Sequence, residues 1–225
     1  MELSSGYINK EDTYFQHERE EMLPFLPPTF QTILEVGCGN GAFGKLVKTK
    51  YTCTYWGIEA ETKFKKVAEE NLDHFINKQF DLCEELPSNY FDCIIFNDVL
   101  EHLVDPSVAL EKCKTLLKKD GYIMSSIPNI RHIAYLYRLA YKGEFEYEKA
   151  GIMDNTHLRF FTKKSIVNLY RRLGFKIIKH EGINLFIPNK FGIVLKTLSF
   201  FGIKKFEDTP YQQFATLAQL ENDKH

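Results

Sequence analysis

Short apolar runs alternate with charged, helix-patterned stretches along most of this chain. TILEVGC (32–38) is an apolar run interrupted by Glu35 and leading into Gly37, the pattern of a buried strand. AFGKLVKTK (42–50) then takes helical spacing, TYWGIEA (54–60) reads as a second strand, and residues 61–73 read as a second helix. Residues 74–80 have room for a short third strand, FDCIIFND (91–98) is a fourth and GYIMSSI (121–127) a fifth, with a helix over about 106–118 between the last two. Lys118 and Lys119 stand where cations favour the negative end of that helix, and Gly121 stands as its stop. This alternation predicts βαβ units and an α/β fold around a mostly parallel sheet with helices on both faces.

The second half is less regular. Residues 130–142 form an aromatic-rich helical pattern, 143–161 a long loop, and 162–173 a helix ended by Gly174. FKIIKHEGI (175–183) reads as a strand, 190–201 as another helix and YQQFATLAQL (211–220) as a closing strand. Ahead of the first strand, residues 11–23 are charged and helix-patterned until Pro24, Pro27 and Pro28 break the chain. The expected organisation is one domain over 1–225, with an N-terminal helical segment (about 7–28) and a substrate-side insert (about 129–161). The pattern leaves open whether 184–210 packs on the core or forms a cap.

Composition narrows the class. Hydrophobic residues at 44% and charged residues at 26% are those of a water-soluble globular chain. A net charge of −1 gives no global attraction to a polyanion, so extended nucleic-acid contact is not expected. The five cysteines are odd in number and contain no CxxC pair, so they predict reduced thiols and a cytoplasmic protein. The start of the chain lacks the pattern of a signal peptide, and no apolar stretch approaches the ~20 residues of a membrane span.

The most informative segment is the strand-turn-helix of Glu35-Val36-Gly37-Cys38-Gly39-Asn40-Gly41. Glycines there let the backbone approach a ligand and adopt positive φ. A G-x-G-x-G turn also suits a dinucleotide or a plain tight βα turn. The acidic Glu35 inside the strand and a spacing other than G-x-G-x-x-G favour S-adenosylmethionine, and no Walker lysine follows. Glu59 ends the second strand, about 20 residues past the turn, where a carboxylate accepts from ribose hydroxyls. Asp81 follows the third strand, and Asn97 and Asp98 end the fourth, so all fall on one sheet edge.

Through ILEVGCGNGAFG, GIEA, FDL at 80–82 and FDCIIFNDVLEHLVDP, in that order, the chain resembles the class I S-adenosylmethionine-dependent methyltransferases, especially those acting on small molecules. The resemblance spans roughly 30–128 and extends more weakly to about 183. It implies a Rossmann-like fold with a seven-stranded sheet. Glu35, Gly37, Gly39 and Gly41 would surround the methionine part, Glu59 the ribose, and Asp81 with Leu82 the adenine, with Asn97 and Asp98 beside them. Similar methyltransferases close an N-terminal aromatic or basic residue over the methionine end, a role open to Tyr14 and Arg19; the other reading of this EREE-rich stretch is a solvated helix face.

Methyl transfer from a sulfonium is an in-line displacement, and a hydroxyl acceptor also needs a group to take its proton. His157, in the string Asp154-Asn155-Thr156-His157-Leu158-Arg159-Phe160-Phe161-Thr162, is the first candidate base and His102, in Asp98-Val99-Leu100-Glu101-His102, the second. The D-x-T-H-x-R-F-F-T string resembles a motif of bacterial methyltransferases tied to polysaccharide and O-antigen products, which implies a sugar or glycan acceptor. Asp154 would orient His157 or bind a sugar hydroxyl, and Arg159 would hold an anionic group, while Thr162 caps the next helix and Phe160 and Phe161 anchor the loop. The first expectation is a metal-free site. The alternative joins Asp98, Glu101 and His102, which share a face if a helix begins at 98, with His157 around a divalent cation. Certain RNA-end and quinone O-methyltransferases have a similar arrangement, with Glu at the first position. Tyr135, Tyr137, Tyr141, Phe145 and Tyr147 in the insert suit a lid, a substrate platform, a packing helix or a homodimer contact. Competing functions are methylation of a quinone-type phenol or an RNA end, and a non-catalytic cofactor-binding subunit.

Overall fold

The computed structural model describes residues 19–188, 191–192 and 204–221. Seven strands form one sheet: β1 (Thr32–Val36), β2 (Thr54–Ile58), β3 (His74–Ile76), β4 (Phe91–Asn97), β5 (Leu117–Pro128), β6 (Phe175–Leu185) and β7 (Tyr211–Leu220). Their order is β3-β2-β1-β4-β5-β7-β6. β1 to β5 run parallel, and β7 is antiparallel to both β5 and β6. The chain winds outward from β1 to β3 and returns beside β1 as β4, which makes the β1/β4 boundary the switch point of the sheet.

β1 and β4 read as uninterrupted apolar runs because both of their faces are buried. Leu34, Val36, Ile94 and Phe96 face one core, while Ile33, Cys93 and Ile95 face the other. The first core is covered by α3 (Pro106–Leu116) and α5 (Lys163–Arg172), through Leu110, Cys113, Ile166, Leu169 and Tyr170. α1 (Ala42–Lys50) covers the second through Phe43, Leu46 and Val47, and Ala68 of α2 (Lys65–Asn71) joins it. Asp105 caps α3 by accepting from the Ser107 amide, with Pro106 at the first helical position. α5 starts, as expected, at Thr162, in a reciprocal capping pair with Ser165.

Two expectations need correction. α3 stops at Leu116, and Leu117 already belongs to β5, so Lys118 does not sit on a helix end. It instead pairs with Asp92 at 2.9 Å, whose carboxylate also accepts from the Thr32 amide. The described part of the N-terminal segment is a 3-10 helix, Glu20–Phe25, with Pro24 inside it. Proline has no amide hydrogen for an α-helical ladder. Of the helix expected over 190–201, only Phe191 and Gly192 lie within the described residues, and both are helical.

The insert is short α4 (Ile133–Tyr137) continued by a π turn, Arg138–Lys142. It rests on the segment leading into β7. The Ile133 amide donates to the Thr209 carbonyl at 2.9 Å, and Arg131 pairs with Asp208 at 2.7 Å.

One glycine couples helix packing to the strand edge. A Cβ on Gly44 of α1 would lie 2.4 Å from Leu72 Cδ2 and 2.7 Å from Tyr55 Cε1. Tyr55 is fully buried, so it has little room to give. Gly44→Ala is therefore expected to lose about 1–3 kcal/mol to overpacking, outweighing the ~1 kcal/mol that alanine gains in a helix. Urea unfolding should show a lower midpoint with an unchanged slope; an unchanged or higher midpoint would refute this account.

Candidate functional site

β1 runs into a turn in which Gly37, Gly39 and Gly41 all take left-handed backbone, with φ of 69°, 52° and 76°. A Cβ on Gly37 would meet Val99 Cγ2 at 2.6 Å, so only glycine lets the turn lie against the end of β4. The Gly37 amide donates to the Ile58 carbonyl at 2.8 Å, and the Gly39 amide donates to Glu59 Oε2 at 3.0 Å. The other oxygen of Glu59 accepts from the Glu61 amide at 2.9 Å. Burial raises the Glu59 pKa, and these amide donors oppose the rise. Its carboxylate is thus held at the end of β2, beside the glycine turn.

Asp81 and Leu82 lie on a one-turn 3-10 helix, Phe80–Leu82, and both are exposed at the same edge. Lys112 of α3 fixes this turn from beneath, donating to the Phe80 and Cys83 carbonyls at 2.5 and 2.8 Å. An exposed carboxylate next to an exposed leucine suits a polar, flat base.

Glu35 sits under the glycine turn with 3% exposure. Its carboxylate accepts from Tyr55 Oη at 3.0 Å and from Asn97 Nδ2 at 2.9 Å. Burial pushes its pKa up to about 7, against the lowering effect of those two donors. Asn97 therefore acts through Glu35.

Asp98 has another position than a helix start. Its φ is 54°, and the helical turn begins only at Leu100. The expectation that Asp98, Glu101 and His102 share one helix face is thereby corrected. Asp98 faces the N-terminal segment, where Arg19 Nη1 donates to its Oδ2 at 2.5 Å. Ser126 Oγ and Gln213 Nε2 also donate to it, at 2.8 and 2.9 Å. Burial disfavours the Arg19 charge, but Asp98 and Glu21 more than compensate and hold its pKa above the ordinary value. Ser126 and Gln213 were not foreseen from the sequence. Ser126 lies near the end of β5 and Gln213 near the start of β7, and neither position carries a motif. Tyr14 lies outside the described residues.

The two histidine motifs, some fifty residues apart, are docked by backbone. The Leu158 and Arg159 amides both donate to the Glu101 carbonyl, at 2.9 and 3.0 Å. This brings Glu101, His102 and His157 together with one ligating atom of each within 4.8 Å of the others. His157 Nε2 lies 4.0 Å from Glu101 Oε1, and the two imidazoles meet edge to face at 4.7 Å. His157 Nδ1 is bonded to the Ile152 carbonyl at 3.0 Å and His102 Nδ1 to that of Thr156 at 3.1 Å. A carbonyl only accepts, so each Nδ1 carries a proton, and in the neutral form of either ring the lone pair is on Nε2.

Asp154 and Arg159 are placed differently from a sugar-binding pair. Asp154 is buried and accepts from both the amide and the hydroxyl of Thr156, at 2.8 and 2.6 Å, so it shapes the loop. Arg159 Nη2 donates to the Val104 carbonyl at 2.6 Å and ties the two motifs together. Phe161 is buried as expected, but Phe160 joins Phe145 and Tyr147 of the insert in a ring cluster beside His157. Among the described residues no helix is long and apolar enough to cross a membrane.

Residues 7–180 match the family described as "Methyltransferase domain". The ubiquinone biosynthesis O-methyltransferase of Nitrosomonas europaea is 30% identical over 136 residues, which cover 53% of this chain and 57% of that protein. Its counterpart in Chromobacterium violaceum is 29% identical over 163 residues, 68% of each chain. The match thus spans between half and about two thirds of these relatives' length. A SAM-dependent methyltransferase from Archaeoglobus fulgidus superposes with a TM-score of 0.65 at 19% identity, over 88% of this chain and 90% of that one. The plantazolicin methyltransferase BpumL, solved in complex with SAH, superposes with a TM-score of 0.59 at 16% identity, over 93% and 80% of the two chains. Sequence family, strand order and glycine turn agree: the chain belongs to the methyltransferase-domain family, with the class I fold and S-adenosylmethionine as its cofactor.

Proposed function

We propose that this chain transfers a methyl group from S-adenosylmethionine to a hydroxyl on a quinone-type ring, and that the hydroxyl loses its proton at the cluster of Glu101, His102 and His157. The observation that carries this reading is the convergence of those three side chains within 4.8 Å at the strand edge that also holds Glu59 and the glycine turn. Relatives about 30% identical are named for ubiquinone biosynthesis, which favours a phenolic acceptor over the sugar or glycan first expected. The residues a sugar would have used, Asp154 and Arg159, are engaged by Thr156 and Val104.

In the reaction the acceptor oxygen forms a bond to the methyl carbon as the carbon–sulfur bond breaks and leaves its electron pair on sulfur. The glycine turn, Glu59 and the Asp81–Leu82 turn would hold the cofactor, and Arg19 would stand over its methionine end. Alignment of oxygen, carbon and sulfur supplies most of the rate.

The cluster fits a divalent cation better than a lone histidine base. His157 Nε2 lies 4.0 Å from Glu101 Oε1, a separation that a divalent cation ligated by both atoms would span. Two imidazole nitrogens and one carboxylate oxygen form a donor set that transition-series divalent ions and Mg²⁺ accept, and the carbonyls on both Nδ1 atoms orient the ligands. A cation held there would lower the pKa of the acceptor hydroxyl, whose proton would pass to water. Glu101 supplies the negative charge, His102 and His157 fix the geometry, and Asp98 stands apart with Arg19.

Chelation is expected to abolish methyl transfer reversibly, with activity restored by added Mg²⁺ or Mn²⁺. Full activity in excess chelator would leave a metal-free histidine base in its place. His157→Ala should slow transfer about 10²–10⁴-fold with little change in cofactor affinity, and raised cation concentration should recover part of the loss if His157 is a ligand. A near-normal rate in His157→Ala would remove the cluster from the reaction. On the cofactor side, Glu59→Ala should weaken S-adenosylmethionine binding by about 1–3 kcal/mol, the scale of a charge-assisted hydrogen bond. Unchanged affinity in calorimetric titration would overturn the ribose assignment.

A further inference from the structure

Glu35 lies near the carboxyl end of β1, at the switch point of the sheet, and its side chain is buried. Its two partners are neutral. Asn97 donates to one oxygen at 2.9 Å and Tyr55 to the other at 3.0 Å. Tyr55 is completely buried, and its pKa is pushed well up by burial and by Glu35, so it stays a phenol. A phenol hydroxyl both donates and accepts. It can give its hydrogen to the Glu35 carboxylate, or turn and accept one from the carboxylic acid. Either charge state of Glu35 therefore finds a partner without movement of the backbone. Burial alone favours the uncharged acid.

The cofactor changes charge during its own reaction. S-adenosylmethionine carries a sulfonium cation, and S-adenosylhomocysteine carries a neutral thioether in its place. The inference rests on the cofactor placement proposed above, with the methionine part beside the glycine turn that follows Glu35 on β1. We propose that Glu35 is the residue by which this chain distinguishes the cationic donor from its neutral product: the carboxyl is ionised while the sulfonium is bound and takes up a proton from water once methyl transfer has removed that charge. The proton that leaves the acceptor hydroxyl goes separately, to water on the acceptor side. Donor binding then releases one proton from Glu35, and product formation returns one, so charges balance over the cycle. The consequence is functional. The product loses an attraction that the donor enjoyed, and neither ligand leaves an uncompensated charge buried in the sheet.

The other charged or titratable groups around Glu35 act alike on both ligands. Arg19, paired with Asp98, keeps its charge, and Glu59 lies at the ribose that donor and product share. The Cys38 thiol on the turn is pushed up by burial and stays protonated. The α-amino group is also common to both ligands. A ratio of affinities therefore isolates the sulfonium.

The test is calorimetric titration of the full chain with S-adenosylmethionine and with S-adenosylhomocysteine, from about pH 6 to about pH 8, in buffers of different ionisation enthalpy. Glu35 has its pKa at about 7 in the unliganded protein. Below that value the preference for S-adenosylmethionine over S-adenosylhomocysteine should grow as pH rises, by up to about tenfold per unit, and level off above it. At the acid end donor binding should release up to one proton more than product binding. Glu35→Gln, which keeps the hydrogen bonds and loses the charge, should flatten both differences. If that variant fails to fold, the proton counts of the unaltered protein still decide. Equal proton release for the two ligands with a flat affinity ratio would overturn the proposal, as would an unaltered pH dependence in Glu35→Gln. Failure of both ligands to bind at any pH would instead remove the cofactor assignment, and the inference with it.

Discussion

The structure depends on a desolvation constraint. β1 and β4 lie side by side at the switch point with apolar cores on both faces, so a polar side chain within them has no water to turn to. Polar groups are admitted only where the strands end, or where a buried partner waits for them. Glu35 has Tyr55 and Asn97, and Thr32, at the other end of β1, has Asp92. Glu59, Asp81 and Asp98 stand beyond the carboxyl ends of β2, β3 and β4. The position of the cofactor edge thus follows from what the sheet cannot bury. Glycine at 37, 39 and 41 lets the backbone close over this edge.

The acceptor side is assembled by a second, backbone-based constraint. The carbonyl of Glu101 takes the amides of Leu158 and Arg159 together, and the Arg159 guanidinium takes the Val104 carbonyl. Such main-chain docking fixes the loop without demanding particular side chains at its contact points, and it leaves the side chains of Glu101, His102 and His157 to converge on one another. Asp154 serves the same end by closing its own turn on Thr156. Asp154 and Arg159 are thus tied to the loop's own backbone, while the two imidazoles face each other and Glu101.

How much of this was legible in the sequence follows the same physics. Doubly buried strands and amphipathic helices announce themselves by apolar periodicity, so β1, β4 and the closing β7 were placed with little error, β7 over Tyr211–Leu220 as expected. The glycine turn and Glu59 were legible because tight backbone approach and strand-end carboxylates need particular residues at particular spacings. The alternative that set Asp98 on one helix face with Glu101 and His102 failed because their spacing fits a helix, and nothing local signals that the Asp98 backbone turns left-handed (φ 54°). Its partners Arg19, Ser126 and Gln213 come from three separate parts of the chain, and only the completed sheet brings them together. Asp154 and Arg159 misled for a related reason: a charged residue in a loop looks the same whether it faces a ligand or its own backbone.

The Arg19–Asp98 pair joins these strands of the argument. Both residues are held at positive φ, 55° and 54°, a region that non-glycine residues occupy at a cost of about 1–2 kcal/mol each. Neither would stay there for a single exposed ion pair, which contributes at most about 1 kcal/mol. Here the pair is largely buried, and Asp98 gathers three side-chain donors while Arg19 also reaches Ser126. Removing either partner would leave the other as a buried, uncompensated charge, a penalty larger than the backbone strain. The strain is therefore stable only while the N-terminal segment is docked, and docking in turn sets one wall of the cofactor edge. A ligand carboxylate arriving at Arg19 would compete with Asp98 for the same guanidinium, and Asp98 would retain Ser126 and Gln213 as donors. That redundancy allows the arginine to change partners without exposing Asp98 as an unsatisfied buried anion.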